Sequence, residues 1–192
     1  MRKVRGRRER QGGDMTDHTD VDPLCLTAVS PDAPEQVAEL AALAEETFIE
    51  AYADKVDAAV LVPYARDVFA PDLREAVVRG AADAFWVVRD SAAVAYASVR
   101  LPSATERPAT IYLDRIYVRG SSRRQGLGRL LMDEALSRGK RAGMTRICLG
   151  VWEANTPAIA FYEALGFAPC GQETFRLGSL RQRDIVMCRH LS

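Results

Sequence analysis

The spacing of hydrophobic residues changes along the chain, and each change marks a different kind of element. Residues 24–29 alternate weakly, which predicts a short strand ended by Ser30 and Pro31. From Pro34 onward Val37, Leu40, Ala41, Ala44, Phe48 and Ala51 recur at intervals of three and four. That interval puts them on one face of an amphipathic helix. Two more helical stretches follow, one over 56–69 interrupted by Pro63 and one from Pro71 to Gly80. The period then shortens. Runs rich in β-formers at 85–89 and 94–100, joined by Asp90 and Ser91, predict a hairpin. Beyond a polar loop at 102–108, residues 110–118 (TIYLDRIYV) predict a strand of β-branched and aromatic side chains. Leu127, Leu130, Leu131 and Ala135 share a helix face ahead of Gly139, and 147–151 (ICLGV) returns to strand. Asn155, Thr156 and Pro157 open another helix, with Thr156 as N-cap and Pro157 first in the helix, and Gly166 stops it. Residues 173–178 and 184–191 complete the pattern as a closing hairpin. This order of elements belongs to an α/β layered fold around one mixed sheet.

A chain of 192 residues, 48% of them hydrophobic, supports one sizeable core and one domain. Lys plus Arg and Asp plus Glu both number 26, so the global charge gives no reason to expect nucleic acid or an anionic membrane as partner. Basic charge is concentrated in residues 1–10 (MRKVRGRRER), and the polar stretch after them carries almost no apolar side chain. Residues 1–22 are therefore expected to form a disordered tail and 23–192 the folded domain. An electrostatic anchor for DNA or RNA is the functional alternative for that tail. With neither a signal-type apolar stretch after the basic residues nor a run near the ~18 residues of a membrane span, a cytoplasmic protein is expected. Cys25, Cys148, Cys170 and Cys188 stand singly, without a C-x-x-C pair or a nearby histidine. Buried, reduced thiols and no metal site are the expectation.

The chemistry is concentrated in RRQGLGRLL, residues 123–131. A helix N-terminus exposes unpaired N–H groups and partial positive charge, which attract phosphate. Gly126 and Gly128 remove the Cβ atoms that would hold an anion off the backbone, and Arg123 and Arg124 add cationic donors. The turn suits a pyrophosphate. It is not a P-loop, because Leu127 follows Gly126 where lysine and a hydroxyl are needed. Nor is it the dinucleotide fingerprint, because Leu131 stands where the third glycine belongs.

The strand DRIYV, the turn R-x-x-G-x-G at Arg123, Gly126 and Gly128, and the later NTPAIAFYEALGF together resemble the GNAT superfamily of acetyl-CoA dependent N-acetyltransferases. The resemblance covers residues 24–190 in element order, and the stretch from LGVWEAN to DIVM is most similar to the PaiA-type spermidine/spermine acetyltransferases. It implies a GNAT fold, a mixed and mostly antiparallel sheet flanked by helices. It also implies acetyl-CoA as cosubstrate, with its pantetheine arm along Ile116, Tyr117 and Val118. The pyrophosphate would lie on Arg123, Arg124, Gln125, Gly126, Leu127 and Gly128, and Asn155 would touch the arm. Tyr162 corresponds to the tyrosine near the thioester sulfur and is expected to protonate the leaving thiolate.

An alkylamine of pKa about 10.4 must lose a proton before it attacks, which costs roughly 4 to 5 kcal/mol at pH 7. His18 and His190 lie at the ends of the chain, so a carboxylate is the better base. Asp114, read as alternating with Tyr112 and Ile116, is the expected candidate; pairing with an arginine such as Arg115 is the competing role. Glu153 is a weaker choice, and Glu46, Glu50 and Asp54 either line an amine pocket or form a solvated helix face. For Tyr162, packing with Ile159 and Leu165 on one helix face competes with the acid role. The expectation is direct acetyl transfer to a primary amine, with polyamines leading and no metal or acyl-enzyme. Protein N-termini, lysines, aminoglycosides and amino acids stay open as acceptors, as does a homodimer. The alternative class is a CoA-binding or DNA-associated regulator on the same fold.

Overall fold

The computed structural model describes residues 24–100 and 109–191. The expected tail at 1–22, with His18, and the loop at 102–108, with all but Ala109 of the segment before β4, lie outside the described residues.

Among the described residues seven strands form one sheet: β1 (Cys25–Ala28), β2 (Asp83–Arg89), β3 (Ala92–Arg100), β4 (Thr110–Val118), β5 (Arg146–Trp152), β6 (Ala168–Leu177) and β7 (Leu180–His190). Their order is β1-β2-β3-β4-β5-β7-β6. Every pairing is antiparallel except β4 with β5. The α/β fold with a mixed, mostly antiparallel sheet is the architecture expected from the sequence. Among the described residues five α-helices flank it: α1 (Pro34–Tyr52), α2 (Ala58–Tyr64), α3 (Ala70–Val78), α4 (Leu127–Arg141) and α5 (Thr156–Ala164).

Each sheet face carries its own core. On one, Leu127, Leu131, Met132 and Ala135 of α4 and Tyr162 of α5 pack on Ile111, Leu113, Ile147 and Leu149. On the other, Leu40, Ala44 and Phe48 of α1 and Leu61, Phe69 and Leu73 pack on Trp86 and Tyr96. Pairing of Arg89 with Ala92 leaves Asp90 and Ser91 as a two-residue turn, both with positive φ, the geometry that matches the twist of a hairpin.

Several local expectations need correction. Pro63 sits inside α2 without ending it, and the path runs through a π turn (Ala65–Phe69) into α3. Pro71 has no N–H to give the preceding turn, and the wider π turn accommodates that missing donor. Leu130 is 36% exposed and does not join the core face of α4; Met132 and Leu136 do. Gly139 lies within α4, which ends at Arg141. A Cβ there would stand 2.7 Å from Leu191 Cδ1 and 2.9 Å from Ile111 Cγ2, so the glycine lets the helix press onto β4. Gly139→Val is expected to lose about 2 kcal/mol by overpacking, read by urea denaturation; equal stability would mean that the contact yields freely.

The cysteines also depart from expectation. Cys25 and Cys170 are exposed. Cys148 and Cys188 pair across β5 and β7, Cys170 is the extra residue in a β6 bulge, and the Cys188 sulfur lies against the sulfurs of both. One sulfur forms one disulfide, so Cys148, Cys170 and Cys188 make a cluster of three sulfurs and not separate buried thiols. No helix among the described residues is long and apolar enough to cross a membrane.

Candidate active site

The parallel pairing of β4 with β5 spans only Thr110↔Arg146, Ile111↔Ile147 and Tyr112↔Cys148, after which the strands part. A bulge starts the divergence. Ser98 pairs with Arg115 and Val99 with Leu113, which leaves Asp114 as the extra residue. Bulges bend a strand and raise its twist. This one also resets the alternation: Ile116 and Val118 join the α4 core, whereas Tyr117 faces the α1 core. The expected grouping of Asp114 with Ile116 on one face is therefore wrong.

The gap between the strands opens a cleft of about 840 Å³ that joins the two faces of the sheet. On the α4 side its wall contains Arg123, Arg124, Gly126, Leu127, Gly128 and Asn155, with Tyr162 near the crossing. On the α1 side it contains Tyr52, Asp114, Trp152, Glu173, Phe175 and Asp184. Ile116, Tyr117 and Val118 line the passage between. The expected cofactor turn and strand, Asn155, Tyr162 and Asp114 all line this cleft, except Gln125, whose side chain instead accepts from Arg89 at 2.6 Å.

No side chain caps α4 at Gly126, whose φ is +80°, and the helical ladder begins with the Leu130 N–H donating to the Gly126 carbonyl. The amides of Leu127, Gly128 and Arg129 thus lie outside the ladder at the positive end of a helix dipole. With Arg123 and Arg124 beside them they form a cradle in which a pyrophosphate fits. Two residues missed as parts of this turn hold it from α1. Glu50 accepts from the Gly120 amide at 2.7 Å and stands 3.7 Å from the Arg123 guanidinium, while Glu46 pairs with Arg119 at 2.8 Å. These carboxylates face the turn, not an amine pocket. Asp54 is exposed and pairs with Lys55.

Asn155, not Thr156, is the N-cap of α5: its side chain accepts from the Ala158 amide at 3.4 Å, with Thr156 and Pro157 already in the helix. The cap fixes Tyr162 two turns later, against Phe161 and Phe167. Tyr162 is 8% exposed, and burial first, then nearby Tyr52, pushes its phenol above the ordinary tyrosine value. Packing and a place on the cleft wall coexist in this side chain.

Asp114 pairs with Arg100 at 3.4 Å, while Arg115 donates to the Phe69 carbonyl at 2.6 Å. Burial raises the Asp114 carboxyl and Arg100 opposes the rise. Glu153 is ion-paired with Arg183 and is not on the cleft wall, and His190 lies exposed at the end of β7. Sequence reading missed Asp184 and Glu173. They face each other across β6 and β7, and burial, then Glu173, lifts Asp184 to about 6. The period-two pattern of β7 carries the signal, since Asp184 falls in phase with Val186 on the cleft wall.

The acetyltransferase (GNAT) family model matches residues 37–167. An uncharacterized N-acetyltransferase of Lactobacillus delbrueckii subsp. lactis is 34% identical over 84 residues, 44% of this chain and 49% of that protein. One of Mycobacterium tuberculosis is 35% identical over 81 residues, 42% of this chain and 52% of the relative. The chain thus spans about half the length of the curated relatives it matches. In structure it is similar to the PaiA N-acetyltransferase of Thermoplasma acidophilum in complex with coenzyme A, with a TM-score of 0.72 and 19% identity over 88% of this chain and 99% of that one. At that identity the likeness is one of fold. A family match over most of the folded region, on a chain whose parallel strands part beside an uncapped glycine turn, leads to one conclusion: this protein belongs to the GNAT acetyltransferase family.

Proposed function

We propose that this chain transfers the acetyl group of acetyl-CoA to the primary amine of a cationic aliphatic acceptor, with polyamines such as spermidine the leading class. The observation that supports this most is the cleft itself, which runs from a cationic, amide-rich turn to an acidic pocket walled by aromatic rings. The turn from Arg123 to Gly128 would hold the pyrophosphate, the Gln125 contribution coming from its main chain. Ile116, Tyr117 and Val118 offer strand backbone to the pantetheine arm where β5 has moved away, and Asn155 borders it. Acetyl-CoA supplies an activated acyl thioester. Tyr162 supplies the proton that the departing sulfur takes up. Asp114, the base expected from the sequence, is paired with Arg100 and shapes the acceptor wall.

Aromatic walls suit an alkylammonium, since methylene stems bury against rings while the charge meets their faces. A turnover screen with acetyl-CoA over spermidine, putrescine, an aminoglycoside, an alanyl peptide and a lysyl peptide tests the reading. Spermidine is expected to give the highest kcat/KM. Transfer to none of them, by a chain whose melting temperature coenzyme A still raises, would favour a cofactor-binding regulator over an enzyme.

A further inference from the structure

We propose that Asp184, with Glu173 beside it, receives the proton that the acceptor ammonium must lose, an assignment that rests on the amine-transfer reading above. The two carboxylates sit on directly paired residues of β6 and β7, and both lean over Gly150 of β5. A Cβ on Gly150 would lie 2.5 Å from Glu173 Oε1 and 3.7 Å from Asp184 Oδ2. The glycine therefore makes room for an acidic pair on the edge of β5 where it has left β4, beside the opening toward Tyr162.

What sets this pair apart is its lack of a cation. Asp114 has Arg100, Glu50 has Arg123 and Glu153 has Arg183, whereas among the described residues no arginine or lysine pairs with Asp184 or Glu173. Asp184 Oδ1 is buried without a hydrogen-bond partner. Unpaired, partly desolvated like charges are unfavourable in a resting fold. An entering ammonium supplies the missing charge and donors. Other groups on the surrounding wall are Tyr52 from α1, Lys55 after it, Arg100 from β3, and Asp114 and Arg115 from β4. Lys55 is held by Asp54, Arg100 by Asp114 and Arg115 by the Phe69 carbonyl, which leaves the acidic pair to meet the substrate.

The step balances simply. The ammonium gives a proton to the Asp184 carboxylate; the freed nitrogen lone pair forms the C–N bond as the thioester C–S bond breaks; sulfur leaves as thiol with the proton of Tyr162. The surplus proton on nitrogen passes to the phenolate left on Tyr162, and Asp184 returns its own to water. An Asp184 titrating near 6 is ionised at pH 7 and is still a stronger base than a surface aspartate.

The test is the pH profile of kcat/KM for the best amine, set beside melting curves. The wild type is expected to show an acidic limb near pH 6. Asp184→Asn removes that limb and lowers kcat/KM by about 100-fold with coenzyme A affinity retained. Glu173→Gln moves the limb to lower pH by taking away the neighbouring charge. A readout independent of turnover follows from the sign of the shift. A carboxyl raised in the folded state binds protons more tightly there than in the unfolded chain, so its ionisation lowers stability as pH rises from the ordinary aspartate value to about 6. Asp184→Asn should accordingly melt higher than wild type at pH 7 and lose that advantage below about pH 4. An active wild type whose Asp184→Asn variant keeps its kcat/KM within threefold, with the same limb, overturns this assignment alone. A wild type that binds coenzyme A but acetylates no amine overturns the proposed function and this assignment with it.

Discussion

Tyr162→Phe is expected to lower kcat by about 100-fold while KM for both substrates moves little. Loss of one hydroxyl leaves the ring between Phe161 and Phe167, so the core that surrounds it survives and the melting temperature should stay within a degree or two. A phenol pushed above its ordinary value by burial is a poor acid toward a thiol of pKa about 8.5 if the sulfur remains in water. In the cleft the departing sulfur loses its water as well, which raises its proton affinity and brings the pair closer to balance. The raised phenol also stays protonated well past neutral pH, so Tyr162 contributes no basic limb to kcat below about pH 9. Steady-state kinetics with saturating acetyl donor decide the matter. Full activity in the variant would leave Tyr162 a packing residue.

Gly128→Val is expected to weaken coenzyme A binding by about 100-fold or more, because a branched side chain would stand over the amides of the first turn of α4 and displace charge-assisted hydrogen bonds. The fold should tolerate it. Gly128 is absent from the left-handed glycines, and its Cβ would meet Phe161 Cζ at 3.5 Å, an ordinary contact. Gly126 is the wrong position for this experiment. Its φ of +80° suits glycine, so Gly126→Val adds strain of about 1 to 2 kcal/mol to any loss of binding. Calorimetric titration of Gly128→Val, with a denaturation curve alongside, separates the two effects; unchanged affinity would remove the anion-binding role from the turn.

Much of this molecule can be read from the one-dimensional pattern because its signals are local. Gly126 and Gly128 on either side of Leu127, where the apolar stripe begins, specify a bare helix start, and Asp90–Ser91 between two β-rich runs specifies a hairpin. What escapes is decided by residues far apart in sequence. The Asp114 bulge becomes visible only through the register against Ser98 and Val99. Leu130 fits the helical stripe, yet it stands 36% exposed at the edge of α4, an exposure set by tertiary placement. Asp184 and Glu173 reach the cleft wall together only because β5 carries a glycine opposite them, and Glu46 and Glu50 meet the turn only because Arg119, Gly120 and Arg123 lie beside α1. The three sulfurs meet because β7 inserts between β5 and β6, an order that the chain does not announce.

The bulge on β4 reaches beyond its own residue. Upstream of Asp114 the strand is in one phase and downstream in the other, so Arg115 and Tyr117 look toward α1 while Ile116 and Val118 look toward α4. Deleting a single position there would exchange the two sets, carrying a guanidinium and a phenol into the aliphatic core under α4 and two aliphatics into the aromatic side under α1. How many residues β4 contains therefore constrains this protein more tightly than which ones they are, and its drift should proceed by substitution and not by insertion or deletion in that stretch.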